Sequence, residues 1–299
     1  MALLLLTTGW KMTVVIGHAY LSCGLFHSTY CVVSISLFGK RDVQGVGNKW
    51  YPNASLFTHF EELQSLYLVG NNIGGWIMLE VLCELRNLEA LYLGGNSLDD
   101  GGLPRCLARC GLPSLRVIYL QHNSFNLSAP LLSALCGLRN LRVLDLSHNV
   151  LSNGSLPPCM LDTFSSLESL SLWNFTFEQS PNLLTALCGA TRNLRKLDLS
   201  DSNLNVERIP PCPQQNLSSL ANLNLRGTFT KNYSTALLKG LICGWKKLKV
   251  LDLRRNGLSD ESLPSCLFHN NSMLEELYLS SNNLKGSLGF SIGTTNAVI

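Results

Sequence analysis

Apolar positions recur along this chain with a spacing that fits neither a helix nor a strand. In Leu141 to Leu151, LRVLDLSHNVL, leucines stand at 141, 144, 146 and 151, with Asn149 between the last two. A helix would repeat every 3.6 residues and a strand every second residue. The same spacing restarts at Leu63, Leu88, Leu115, Leu141, Leu167, Leu194, Leu220, Leu248 and Leu274, in steps of 25 to 28 residues. Each restart predicts a short strand with its aliphatic positions turned inward. These positions are Leu throughout, except for Ile118 in the third repeat. One repeat cannot bury them alone, so neighbours must stack.

L-x-x-L-x-L-x-x-N-x-L is the leucine-rich-repeat signature. The expected fold is therefore an α/β leucine-rich-repeat solenoid, curved, with a concave parallel sheet and convex short helices and turns. A second period lies over the first. The repeats starting at Leu63, Leu115, Leu167 and Leu220 run into helical-looking segments holding Cys83, Cys136, Cys188 and Cys243. The alternate repeats run into LPRC, LPPC, IPPC and LPSC, where Pro104, Pro157, Pro210 and Pro264 oppose a helix. The building unit is thus a pair of repeats.

The ninth position of each repeat is Asn71, Asn96, Asn123, Asn149, Asn256 or Asn282, and Phe175, Ser202 or Thr228 in three consecutive repeats. An Asn amide both donates and accepts, which a tight turn over a buried core needs. Ser and Thr meet part of that need and Phe none, so irregularity is expected between Leu167 and Thr230.

Residues 1 to 30 are expected as a degraded signal-like or disordered segment, because the basic start and small-residue cleavage site of a secretory signal are poor. Residues 31 to 60 are expected as a partial N-terminal cap, with a strand over Cys31 to Gly39, CVVSISLFG. Residues 61 to 299 then hold about nine repeats, the last incomplete. Neither end shows a transmembrane segment.

Composition narrows the function. A net charge of +3 with 14% charged residues gives no case for nucleic acid. No catalytic or nucleotide-binding motif occurs, so no enzyme, cofactor or metal is expected. Eight of eleven cysteines follow the repeat period. As free Cys packs like a small hydrophobe, these are expected as buried thiols. Cys23, Cys31 and Cys110 fall outside the period, and Cys23 with Cys31 is the candidate disulfide.

Binding residues should lie on the strand positions that face away from the core. The fifth column reads Tyr67, Tyr92, Tyr119, Asp145, Ser171, Asp198, Asn224, Asp252 and Tyr278. The seventh includes Gln121, Trp173, Arg226 and Arg254, and the eighth includes His122, His148 and Arg255. Tyr, Trp and Arg dominate interface energetics. Tyr67, Tyr92 and Tyr119 are expected to form an exposed ladder, with Trp173, Arg226, Arg254 and Arg255 as a second cluster. His122 and His148 share a column, as two solvated histidines or, less simply, as a metal or pH-sensitive pair. Asn53, Asn126, Asn153, Asn174, Asn216, Asn232 and Asn270 open Asn-x-Ser/Thr sequons. A glycan on Asn174 would obstruct the surface beside Trp173.

The alternation of LCGLRNLRVLDLSHN with GSLPPCM, and the entry WYPNASLFTHFEELQSLYLVGNN, resemble the extracellular domain of plant leucine-rich-repeat receptor-like proteins. STYCVVSISLFGK is similar to the end of that family's N-terminal cap. The family's paired cap cysteines and tryptophan motif, its juxtamembrane stretch and its membrane helix have no counterpart here. The resemblance implies non-catalytic recognition of a protein, peptide or glycan ligand on the concave face. It also implies defence or developmental signalling with a co-receptor kinase, from the secretory pathway and the cell surface. A secreted inhibitor of a pathogen enzyme and a nonfunctional truncated paralogue are the alternatives.

Overall fold

Each L-x-x-L-x-L segment makes a strand only three residues long, flanked by two buried leucines. The computed structural model describes residues 4–8, 11–16, 19–26, 29–37, 49–104, 107, 112–126, 129–150, 165–174, 192–202, 219–229, 247–263, 267, 273–285 and 296–298. The chain packs as two compact units, Met1–Asp145 and Leu146–Ile299.

The first unit opens with four antiparallel strands: β1 (Leu4–Thr8), β2 (Lys11–Ile16), β3 (Ala19–Phe26) and β4 (Thr29–Leu37). These strands occupy most of residues 1 to 30, the segment expected as signal-like or disordered. Runs such as Thr13-Val14-Val15-Ile16 are β-branched and suit a strand wherever a neighbour offers its edge. The strand expected over Cys31 to Gly39 is β4, and it pairs in parallel with the first repeat strand through Ile35 and Leu66. Val33 and Ile35 are buried, so β4 supplies the core contacts of a repeat without its motif. Parallel pairing continues through β5 (Ser65–Tyr67), β6 (Ala90–Tyr92), β7 (Val117–Tyr119) and β8 (Val143–Asp145), with Leu66, Leu91, Ile118 and Leu144 in one register. All four are at most 2% exposed.

A short α1 (Ser55–Thr58) precedes β5 and buries Phe57. A 3-10 helix over Leu79–Glu84 follows β5, and α2 (Ala129–Cys136) follows β7, burying Leu131, Ala134 and Leu135. Both fall in repeats of the first kind, as the second period predicts.

In the second unit β9 (Ser169–Ser171), β10 (Lys196–Asp198), β11 (Asn222–Asn224), β12 (Val250–Asp252), β13 (Glu276–Tyr278) and β14 (Asn296–Val298) pair in parallel, with Leu170, Leu197, Leu223, Leu251 and Leu277 in one register. The irregularity expected from Leu167 to Thr230 is absent from its strands. Phe175 lies outside the described residues.

The ninth column explains why. In the first unit Asn96 Oδ1 accepts from the backbone of Asn71 and Ile73, and its Nδ2 donates to Leu68 and Leu93 carbonyls. In the second, Asn256 repeats the pattern, accepting from Thr228 and Phe229. Ser202 and Thr228 keep the donor half alone. Ser202 Oγ donates to Leu172 at 2.6 Å and Thr228 Oγ1 to Leu199 at 2.8 Å, both fully buried.

Cysteine usage departs from expectation. Cys83 and Cys136 are both disulfide-bonded rather than buried thiols. The expected Cys23–Cys31 bridge is also corrected: the ladder pairs Cys23 with Val32 and Cys31 with Gly24, and Cys31 carries a thiol. Cys106, Cys110, Cys159, Cys188, Cys212, Cys243 and Cys266 lie outside the described residues.

Candidate recognition surface

Positions three, five and seven of a repeat alternate with the buried leucines, so period two turns them to the opposite face. In-register parallel pairing then stacks like positions. Tyr67 and Tyr92 have ring centroids 4.2 Å apart with planes inclined by 11°, and Tyr92 and Tyr119 are 5.0 Å apart at 10°. The ladder read from the sequence is present, and all three rings are half-buried. Each ring covers its neighbour's face, so ring edges and hydroxyls are what a ligand meets. Burial pushes the Tyr92 phenol up to about 12, helped by hydrogen bonding to Tyr67 and by the negative charge that ionised Tyr67 and Tyr119 would add. Tyr92 is a proton donor at any physiological pH.

Asp145 continues the column on β8. Gln121 lies across Gly94, where a Cβ would come within 2.5 Å of its amide carbon. Its buried Oε1 meets no donor among the described residues. His122 is exposed at the rim.

In the second unit Trp173 is 40% exposed and His148 packs edge-on against it, with centroids 4.2 Å apart at 86°. Trp173 Nε1 donates to Asp201 at 3.2 Å. Asn174 Nδ2 lies 2.8 Å from His148 Nδ1. The described contacts of Trp173 are with His148 and Asp201, whereas the sequence grouped it with Arg226, Arg254 and Arg255.

Below that rim is a trough of about 340 Å³ lined by Ser169, Ser171, Lys196, Asp198, Asn222 and Tyr278 among others. Its carboxylates are already engaged. Asp198 accepts from the Ser200 backbone and hydroxyl and from Asn224. Asp252 is buried and takes Arg254 in a bidentate pair, Nε lying 2.9 Å from both oxygens. The Arg254 guanidinium also sits 5.1 Å from the Tyr278 ring centroid. Hydrogen bonding to Asp252 raises the Arg254 pKa, and bonding to Glu276 at 2.6 Å raises that of Tyr278. Arg254 is therefore committed within the sheet, unlike the free contact its sequence suggests. Arg226 is half-buried and Arg255 exposed.

Column three was not singled out in the sequence, and it supplies Lys196, an exposed cation on the trough lip. Column eight carries a signal that was missed. Gly70, Gly95, His122, His148, Asn174, Asp201, Gly227, Arg255 and Ser281 all have φ between 49° and 71°. Gly, Asn, Asp and His are the residues that adopt this left-handed region most readily, and their recurrence at one position could have shown the turn. Among the described residues no group of three metal-ligating side chains converges.

The Leucine Rich Repeat family profile matches residues 140–162 and 273–294, and a second Leucine Rich repeat profile matches 246–263. The chain has the leucine-rich-repeat solenoid fold. Cuscuta receptor 1 of Solanum lycopersicum is 32% identical over 194 residues, which is 62% of this chain but 15% of that receptor. This supports the expected likeness to plant leucine-rich-repeat receptor-like proteins. Two solved structures share the solenoid fold. A leucine-rich-repeat protein of Leptospira interrogans aligns with a TM-score of 0.56 at 23% identity, over 80% of this chain and 60% of that one. An internalin of Listeria monocytogenes aligns at 0.58 and 18%, over 81% and 62%. Among the described residues no helix of this leucine-rich-repeat chain is long and apolar enough to cross a membrane.

Proposed function

We propose that this chain is the non-catalytic recognition part of a plant cell-surface receptor-like protein, and that it binds a protein or peptide on the face carrying the tyrosine ladder. The mutual stacking of Tyr67, Tyr92 and Tyr119 carries the reading. Sugars pack on open aromatic faces, and here the inner faces are taken. Phenol donors and ring edges suit polypeptide carbonyls and apolar side chains, so a peptide is favoured over a glycan.

Signalling in defence or development through a co-receptor kinase belongs to the same reading, as an implication of the family resemblance; the tomato relative is by name a receptor. So does passage through the secretory pathway, with sugars on Asn53, Asn126, Asn153, Asn174, Asn216, Asn232 and Asn270. The disulfide-bonded Cys83 and Cys136 support an oxidising compartment.

The test is selection of displayed random peptides on the purified protein, then affinity measurement on a Tyr92→Ala/Tyr119→Ala variant of unchanged melting temperature. Loss of at least about tenfold, or 1.4 kcal/mol, is expected. Selected peptides that bind the variant equally well would remove the ladder from the site.

A further inference from the structure

One flank of the first unit is apolar and open. Tyr51, Leu56, Ile77 and Met78 are 50, 60, 52 and 58% exposed. They are gathered by two hydrogen-bonded segments: Ala54 N–H donates to Ile77 and Ile77 N–H to Pro52, both at 2.9 Å. Asn53 is the bridge partner of Ile77, so their side chains leave the backbone on one side. The Tyr51 ring lies over Gly75, where a Cβ would meet ring carbons at 3.1 and 3.2 Å. The Cδ1–Cε1 side of the ring thus lies close to Gly75 while the ring as a whole stays half in solvent.

Asn53 opens the sequon Asn53-Ala54-Ser55 in the middle of this patch. Its Oδ1 accepts from the Ser55 backbone at 3.1 Å and the Ser55 hydroxyl at 2.9 Å. That double contact fixes the amide and leaves Nδ2 with no partner among the described residues. At Asn174, in contrast, Nδ2 is occupied by His148.

We infer that Asn53 carries an N-linked glycan whose first N-acetylglucosamine packs on Tyr51 and Ile77 and covers this flank. The inference rests on the secretory-pathway reading above. Attachment joins Asn53 Nδ2 to the anomeric carbon of the sugar. It breaks that carbon's bond to a lipid-linked pyrophosphate, which leaves, and an Nδ2 proton passes to base. After folding, the Ser55 contacts aim the new bond along the Ile77 side of the bridge. Tyr51, two residues before Asn53, presents an aromatic face to the apolar C–H face of the sugar. Burying both removes exposed aromatic and aliphatic surface from water.

The test uses protein secreted from plant cells. Glycopeptide mass spectrometry reads occupancy, and an endoglycosidase trims the chain to one N-acetylglucosamine per site. Melting is then compared with Asn53→Asp, which keeps an oxygen acceptor for Ser55, and with the uncharged Asn53→Gln. Occupied Asn53 is expected, with the trimmed protein melting about 2–4 °C above both variants. Adding Tyr51→Ala should close most of that gap, while Tyr51→Phe should keep it. A gap that is absent, or indifferent to Tyr51→Ala, overturns the inference. Sugar at other sequons but not at Asn53 overturns it and leaves the secretory reading standing. Sugar at none of the seven overturns both.

Discussion

The Oδ1 atom of Asn96 accepts the backbone N–H of Asn71 at 3.0 Å, one repeat before it. The same atom takes the N–H of Ile73 at 3.0 Å. Truncating Asn96 orphans two donors and several carbonyls at a buried site, and each such loss costs about 1–3 kcal/mol. Asn96→Ala is expected to lower stability by more than about 2 kcal/mol, and Asn96→Ser by less, since Ser202 and Thr228 show that a hydroxyl keeps the donor half. Denaturant midpoints at constant slope would check the order; an Asn96→Ser variant no better than Asn96→Ala contradicts it.

Leu144 is 1% exposed and paired in register with Ile118. Leu144→Ala should cost about 2–5 kcal/mol as a core deletion. A loss below about 0.5 kcal/mol, typical of surface changes, would mean that the inward register is wrong.

The raised pKa of Tyr92 has a pH consequence. The phenol is neutral in the fold up to about 12, whereas an unfolded tyrosine ionises near 10.0. A folded-state pKa raised above the unfolded value costs nothing in the unfolded chain below pH 10 and withholds ionisation from the fold above it. Stability is therefore fully kept below pH 10 and falls between pH 10 and 12. Absorbance titration should show a phenol ionising near pH 12 that Tyr92→Phe removes, together with part of the alkaline loss of stability. Ionisation of every tyrosine near pH 10 in the folded protein would refute this.

Two glycines of column eight separate backbone strain from collision. Gly70 has φ +71° and open space around a notional Cβ, while at Gly227, φ +60°, a Cβ would fall 2.2 Å from Asp201 Oδ1. Gly70→Ala is expected to cost about 1 kcal/mol from the left-handed backbone alone. Gly227→Ala should cost measurably more, as it must also displace the Asp201 carboxylate from Trp173. Equal thermal shifts for the two would show that collision contributes nothing.

The repeat core and the tyrosine ladder were legible because both follow from one fact, the register of identical short strands. Once Leu91 is inward, Tyr92 is outward and stacked between Tyr67 and Tyr119. Arg254 was misjudged because its partner is in its own repeat: Asp252 is two residues away, a pairing that a column-by-column reading passes over. Cys83 and Cys136 were misread because a regular period serves buried thiols and disulfides equally. β1 to β4 carry no repeat motif, and only a free sheet edge makes strands of them. Lys196 escaped notice because column three is chemically mixed.

The left-handed turn at position eight narrows how such a surface can diversify. Wherever the backbone demands positive φ, most side chains bring a penalty, and Arg255 and Ser281 are the positions bearing it. Sequence change that retunes partner choice is thereby channelled into the third, fifth and seventh positions, where the backbone is not left-handed. Engineering of new affinity on this scaffold should randomise those three sites per coil and leave the hinge-like eighth alone.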